Sequence, residues 1–425
     1  MKDRLTVHPD DCAAFAIAGR VPTVVASPKS FEQAAAALQA CAREGARVVI
    51  RGQGTKSAQP PAPAALDVVV DVSSVAKSIY IRADDLTAVA SSSVRIADLR
   101  AALTAKERFF PCDVPFAADA TVGGALAAGS NGALAARFGG LRDNILGMRV
   151  ALSDGSRAFA GSHVVKSVAG FDSHKLFIGS RGTLGFIGEA VLKLAPIPPD
   201  ERALVARFAD PQNACAAALD VAAAPVFPYA VTLHCPRSAQ RIAALTALTR
   251  PDEWLAVYRF GGLRRAVGRA VETVRQTCAQ HGCSATDVLD RGGVERAWVD
   301  IAELAGGRMY PATGWCAYRI ACLPSEVPSV LAAAAAAWPA LEISAHPTMG
   351  VVFAHVPADV AVDAPGLWRS VGAAAGSAIC TSAPPGRTDF AMPPRSYAPY
   401  ALFRRLKSEF DASGTLDPGR MLGAV

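Results

Sequence analysis

Three stretches of this 425-residue chain combine glycine with small, hydroxylated and basic residues in patterns that suit an elongated anionic ligand. The first, Arg51-Gly52-Gln53-Gly54-Thr55-Lys56, directly follows a short apolar run, Arg47 to Ile50. Glycines let the backbone approach a ligand and turn successive N–H groups toward it. A nest of that kind binds a pyrophosphate, to which Lys56 adds a charge and Thr55 a hydroxyl. It is neither a Walker A loop nor a full GxGxxG turn, and alone it reads as a tight turn as readily as a site. The second stretch, Asp119 to Gly132, packs four glycines into fourteen positions (DATVGGALAAGSNG) and is followed by Arg137, Gly139-Gly140 and Arg142-Asp143. A helix this small on one face admits a flat ligand against its backbone. The third runs from Val165-Lys166-Ser-Val-Ala-Gly-Phe-Asp172 into Gly179-Ser-Arg-Gly-Thr-Leu-Gly-Phe-Ile-Gly-Glu189. Three such stretches in order are hard to explain as unrelated turns.

The elements that must position these loops are short and alternating. Ser30 to Arg43 has helical spacing, Leu66 to Val72 reads as a buried strand, Leu86 to Ser91 as an alternating strand and Ile96 to Leu103 as an amphipathic helix. Asp154-Gly155 between two apolar runs predicts a hairpin, because that dipeptide accepts positive φ. Gly185 to Leu194 is a further strand, ending at Pro196-Ile197-Pro198-Pro199, the clearest boundary in the chain. Beyond it the units lengthen: strands at Ala203–Phe208, Trp254–Phe260, Cys316–Leu323 and Gly350–Val356 alternate with helices at Asn213–Ala222, Arg265–His281 and Val327–Trp338. Repeated β–α–β units predict a ferredoxin-like α+β layer. A proline-rich stretch from about Ala383 to Tyr400 precedes a last helix, Tyr400 to Phe410, and the run Gly414-Thr-Leu-Asp-Pro-Gly-Arg-Met421. The expected organisation is 1–199, 200–385 and 386–425, with the last segment returning to the first.

Composition excludes several classes. Hydrophobic residues make up 51% and charged residues 19%, which supplies large cores and rules out disorder. The 43 basic and 37 acidic residues leave a net charge of +6 without a clustered basic face, so no nucleic-acid footprint is expected. The N-terminus MKDRLTVHPDD lacks the apolar region of a signal peptide, and no apolar run reaches membrane-spanning length. Ten cysteines contain no CxxC pair, which argues against zinc and iron–sulfur sites and for free thiols in a reducing cytoplasm.

The ordered segments RGQGT, ATVGGALAAGSNG, LRDNILGMRVALSDG, VVKSVAGFD and GSRGTLGFIGEAVLKL resemble the FAD-binding domain of the vanillyl-alcohol oxidase (PCMH) type over about residues 22 to 198. VVKSVAGFD with LFIGSRGTLG is most similar to the FAD-binding subunit of bacterial glycolate oxidase. Tyr318 to Ser325 resembles a strand of that family's cap domain, and Asp417-Pro-Gly-Arg-Met421 its closing motif. The resemblance implies an α+β fold: a two-part FAD-binding domain (1–199) and a ferredoxin-like cap (200–385). It places Gly52, Gln53, Gly54, Thr55 and Lys56 at the FAD pyrophosphate. Thr121, Val122, Gly123, Gly124, Gly129, Ser130, Asn131 and Gly132 run along the diphosphate and ribityl region. Arg142 and Asp143 fall in the following loop, and Lys166 is on the cofactor side. Gly182, Thr183, Gly185 and Ile187 lie toward adenine. Covalent members carry a linking histidine in the first loop. This chain has no histidine between residues 9 and 162, so FAD is expected to be non-covalent. Ser92-Ser93 stand where Ala-Gly is common.

For such a flavoprotein the resemblance implies oxidation of a CH–OH donor, a 2-hydroxy acid and glycolate above all. Hydride leaves the α-carbon while a base takes the hydroxyl proton and a cation holds the carboxylate. Arg319 is a candidate for the cation and His355 for a catalytic role. Metal-binding relatives need closely spaced histidines and an acid. His346-Pro-Thr-Met-Gly-Val-Val-Phe-Ala-His355 lacks them, so both histidines read as structural and no metal is expected. His163 and His174 read as polar residues of the fold, and Trp254, Trp298, Trp315, Trp338 and Trp368 as core or interface. Expected partners are a homologous flavoprotein subunit and an iron–sulfur subunit. The location is cytoplasmic, peripheral to the inner membrane through those partners. The alternatives are a self-sufficient oxidase of another alcohol or hydroxy acid, and a non-catalytic flavin-bearing scaffold.

Overall fold

A computed structural model describes residues 6–7, 9–57, 59–166, 170–310, 314–338, 340–359, 366, 369, 376–384 and 399–420. Trp368, Met421 and the proline-rich stretch from residue 385 to 398 lie outside the described residues. The fold is α+β and separates into two units. One comprises residues 1–130, 141–197 and 394–425; the other comprises 131–140 and 198–393.

The first unit holds two sheets. Strands β1 (Thr6–Val7), β2 (Val24–Ser27), β3 (Val48–Arg51) and β4 (Val68–Asp71) form a four-stranded sheet in the order β1-β2-β4-β3, parallel except for β1. The valine runs of β3 and β4 suit parallel strands buried on both faces. The helix Phe31–Arg43 begins where Ser30 accepts a hydrogen bond from the Gln33 N–H. It buries Ala34, Leu38 and Cys41 against Val48, Val68 and Val70, and Phe31 stacks on Phe186 of the second sheet. That sheet is antiparallel, built from β5 (Ile79–Arg82), β6 (Thr87–Ser91), β8 (Ile145–Ala151), β9 (Arg157–Gly161) and β10 (Phe186–Lys193) in the order β5-β6-β10-β8-β9. The Asp154-Gly155 turn joins β8 to β9, with Gly155 at φ 83°. Two short strands, β7 (Arg108–Phe109) and β11 (Ala195–Pro196), pair separately.

The tail is part of this unit. The Val48 N–H donates to the Thr415 carbonyl (2.8 Å) and the Asp417 N–H to the Val48 carbonyl (2.7 Å), so the tail pairs in parallel beside β3. Lys407, on the C-terminal helix Pro399–Phe410, is buried. Its Nζ donates to the Thr183 carbonyl (2.7 Å), the Leu416 carbonyl (2.6 Å) and Asp411 Oδ2 (2.6 Å). Burial holds the Lys407 pKa below its ordinary value despite Asp411.

The second unit is one eight-stranded antiparallel sheet: β12 (Asp200–Phe208), β13 (Ala230–His234), β14 (Trp254–Gly262), β15 (Ala285–Leu289), β16 (Trp315–Ala321), β17 (Glu342–His346), β18 (Val351–Pro357) and β19 (Ser377–Ser382). Its order, β15-β12-β14-β13-β17-β18-β16-β19, resolves into two ferredoxin-like halves. In each half the first and second strands flank the third, and the fourth lies beside the first. The halves meet where Leu233 and His234 pair with Ala345 and Ser344. Helices Pro211–Ala223, Arg264–Gln280 and Val327–Ala337 cover one face, burying Ala217, Val271 and Leu331 on Leu204, Tyr258 and Val352. The sequence pattern missed β13, β15, β17, β19 and the helix Arg291–Ala305, all rich in alanine or polar residues that blur the period.

Candidate functional site

The glycine stretches converge in the first unit. Gly52, Gln53, Gly54, Thr55, Lys56 and Ser57 line one side of an open cavity of about 560 Å³. Thr121, Gly124, Ala127 and Ala128 of the second stretch, and Arg181, Asp417 and Arg420, complete it. An adjoining cavity of about 390 Å³ shares Ile50, Gly52, Thr121, Gly124, Ala127 and Arg181 and continues inward past Val72, Ser92, Gly123, Gly182, Gly185, Phe186 and Ile187. The two make one groove.

Local backbone chemistry shapes it. Gly54 sits at φ 73°, and a Cβ there would lie 2.6 Å from Arg51 Nε. A Cβ on Gly52 would lie 2.6 Å from Thr121 Oγ1. That oxygen accepts from the Gly124 N–H (3.2 Å), capping the helix Val122–Ala128, so loop and helix can approach only because Gly52 has no side chain. Lys56 donates to Ser130 Oγ and reaches over the Phe116 ring. Arg181, at φ 56°, donates to the Pro60 carbonyl (2.7 Å).

The tail contributes residues that sequence reasoning left without a role. Arg420 is buried and donates to the Ser57 (2.8 Å) and Gln59 (3.1 Å) carbonyls, fixing the far end of the glycine loop. Its Nε is 3.6 Å from Asp417 Oδ2, while Asp417 Oδ1 is buried without a hydrogen-bond partner among the described residues. Burial raises the Asp417 pKa to about 6, against the opposing pull of Arg420, Lys407 and Arg181. The signal that could have found this pair was the Asp417-Pro-Gly-Arg420 turn itself, a charged pair on a tight turn near the chain's end.

Not every expected residue lines the groove. Val122 is core, and Thr183 is buried with its hydroxyl donating to the Ser180 carbonyl (2.7 Å). Gly129 ends its helix against Gly179, and Ser130 serves as the acceptor for Lys56. Asn131 and Gly132 group with the second unit. Arg142, Asp143 and Lys166 are exposed. His174 is buried, its Nε2 3.2 Å from the Ile145 carbonyl oxygen, and His163 stacks on Phe159.

In the second unit the sheet face opposite the helices Pro211–Ala223, Arg264–Gln280 and Val327–Ala337 carries several polar side chains among apolar ones. Arg319, half-buried on β16, has no hydrogen-bond or ion-pair partner among the described residues, and burial lowers its pKa. Phe353, Ser344 and His234 continue its cross-strand row. His234 and His346 are buried, with pKa values pushed down to about 3 by desolvation. His355 stacks on Tyr310 at 4.0 Å and is likewise held at about 3, by burial and then by Arg241. Arg241 grips buried Glu342 with two hydrogen bonds (2.6 and 2.8 Å), and Tyr310 donates to the same carboxylate (3.0 Å). Among the described residues no group of three His, Cys, Asp or Glu side chains can hold a metal.

Two family models match this chain. Residues 22–159 match an FAD binding domain, and residues 197–361 match the C-terminal domain of FAD linked oxidases. Together the two matches are consistent with a PCMH-type FAD flavoprotein. It is 30% identical over 208 residues to the glycolate oxidase subunit GlcD of Bacillus subtilis, covering 49% of this chain and 44% of that one. It is 30% identical over 206 residues to the mitochondrial cytochrome D-lactate dehydrogenase of Arabidopsis thaliana, covering 48% and 36%. The chain thus spans less than half the length of these relatives. An uncharacterized FAD-linked oxidoreductase of Mycobacterium tuberculosis matches at 26% over 423 residues, 95% of this chain and 91% of that one. An alkyldihydroxyacetonephosphate synthase structure superposes with a TM-score of 0.70 at 16% identity, covering 94% of this chain and 76% of that one, which shows the fold alone.

FAD is the cofactor of this family, and the groove fits it. Glycines occupy the positions where a Cβ would close the cradle, and Lys56, Arg181 and Arg420 gather positive charge at the loop. Ser92 and Asp417 line it, and the hydroxyl of one and a carboxyl oxygen of the other are buried without a hydrogen-bond partner among the described residues.

Proposed function

We propose that this chain is an FAD-dependent oxidoreductase subunit acting on the CH–OH group of a 2-hydroxy acid, glycolate first among them. When bound, FAD supplies the two-electron acceptor. The chain's residues do the rest. Gly52 to Lys56, Thr121, Gly123, Gly124, Gly182, Gly185 and Ile187 hold the cofactor, with Arg420 bracing the loop through its carbonyls. Among the described residues no histidine lines the groove, which supports non-covalent attachment. Arg319 is the cation for the substrate carboxylate, since a guanidinium without a partner among the described residues suits a bidentate anion. The groove with its unfilled cradle and orphaned polar atoms carries the cofactor half of this reading. Electrons pass to a partner iron–sulfur subunit beside a homologous flavoprotein subunit; the similarity to GlcD supports such an assembly.

A second reading has its own observation. His346 and His355 are desolvated and held neutral down to about pH 3, which makes both weak bases. A flavin-bearing subunit whose homologous partner performs the chemistry fits that finding. One experiment separates them. The purified chain, alone and co-expressed with its partners, is exposed anaerobically to glycolate, D-lactate and D-2-hydroxyglutarate while its flavin absorbance is followed. Bleaching of the chain alone by a 2-hydroxy acid supports the first reading. A chain that bleaches only in the partners' presence supports the second, and a chain that purifies colourless and cannot be reconstituted with FAD defeats both.

A further inference from the structure

Three consecutive serines, the last residue of β6 and the two that follow it, have three different fates. Ser91 Oγ is satisfied by the Ser78 N–H (3.0 Å) and hydroxyl (2.7 Å). Ser92 and Ser93 are 2% and 1% exposed, and neither hydroxyl has a hydrogen-bond partner among the described residues. Ser93 does not line the groove, whereas Ser92 lies in its inner cavity. The backbone holds Ser92 rigidly there: its N–H donates to the Gly188 carbonyl (2.9 Å), and its carbonyl accepts from the Gly123 N–H (2.9 Å). Its side chain also fills the space beside Gly123, where a Cβ would come within 2.6 Å of Ser92 Cβ.

A buried hydroxyl without a partner costs free energy that a ligand can return. The charged end of the groove, with Lys56, Arg181, Arg420 and the glycine loop, suits the pyrophosphate. The inner end is walled by Ile50, Val72, Phe186 and Ile187, apolar residues of the first unit's cores. A ring that must meet a substrate cannot sit behind that wall, so the inner end takes the non-reacting half of FAD. We infer that the Ser92 hydroxyl hydrogen-bonds the adenosine half of FAD and is a positioning residue for the cofactor. This rests on the groove being the FAD site.

The test compares Ser92→Ala with Ser93→Ala, each stripped of flavin and titrated with FAD by fluorescence quenching, with ADP as competitor. Ser92→Ala is expected to weaken both FAD and ADP about five- to tenfold, the worth of one neutral hydrogen bond. Its apoprotein melting temperature should stay level or rise, because an unsatisfied hydroxyl has gone. Ser93→Ala should leave both affinities unchanged. The inference is overturned if Ser92→Ala binds FAD like the parent, if its apoprotein melts lower, if Ser93→Ala loses as much, or if FAD weakens while ADP does not. A parent protein that fails to take up FAD would instead defeat the cofactor reading on which this rests.

Discussion

The two units treat buried polar groups differently. In the first, Ser92 and Asp417, each with a buried polar atom that lacks a hydrogen-bond partner among the described residues, line an open groove beside its glycines, whereas Ser93 Oγ and His174 Nδ1 are unpartnered away from it. In the second, the polar groups are sealed into a sheet face, where Glu342 is clamped by Arg241 and Tyr310 and the histidines are stripped of charge. The difference teaches that unsatisfied polarity is informative where a cavity adjoins it. Sealed polarity serves the scaffold first. Arg319 is the exception in the second unit, a cation with neither cavity nor partner described.

Breaking the buried clamp of the first unit is expected to have the largest effect. Lys407→Met leaves Asp411, fully buried, without its cation and should cost about 3 to 5 kcal/mol. A denaturant melt of the holoprotein should show it, and a loss under 1 kcal/mol would mean the clamp is dispensable. Next is Gly54→Val, which meets both the positive φ and the Arg51 guanidinium. It should abolish FAD retention, read as flavin per chain after gel filtration, and full occupancy would remove the loop from the cofactor site.

Asp417→Asn sharpens the contrast through pH. The folded pKa, about 6, lies above the usual unfolded value, so the folded state favours the protonated form. Apoprotein stability should therefore rise by about 2 to 3 kcal/mol as pH falls from 7 toward 4, from this group alone. Asn should flatten that rise, and an unchanged profile in the variant would show that another group is responsible. The smallest effect is expected for Arg319→Lys, which keeps the charge but loses the planar fork. It should raise KM for a 2-hydroxy acid about tenfold with flavin content and melting temperature unchanged. A KM that does not move would return Arg319 to the scaffold.

Much of the first unit was legible because its chemistry is local. A glycine loop after an apolar strand, a TVGG helix start and an Asp-Gly hairpin each declare their geometry within a few residues. Gly52, Gly54, Thr121 and Gly185 do line the groove. Asp417 and Arg420 stood out as a closing motif, but their role at the loop was not legible because they join it from over 360 positions away, as the Arg420–Ser57 hydrogen bond shows. In the second unit β–α periodicity exposed the layer but not the doubling. The two halves meet through Leu233, His234, Ser344 and Ala345, and strand pairing of that range leaves no mark on a local window.

The tail that pairs beside β3 also sets a schedule. Arg420 and Asp417 complete the groove begun at Gly52, and about 230 residues separate them from Ile187, the last groove-lining position before the tail. At ordinary translation rates that gap takes roughly 10 to 50 s to synthesise. Throughout it the glycine loop has no brace, and the second unit's strands emerge and pair in the meantime. The complete groove therefore exists only after residue 420 has left the ribosome, long after its glycine loop was made.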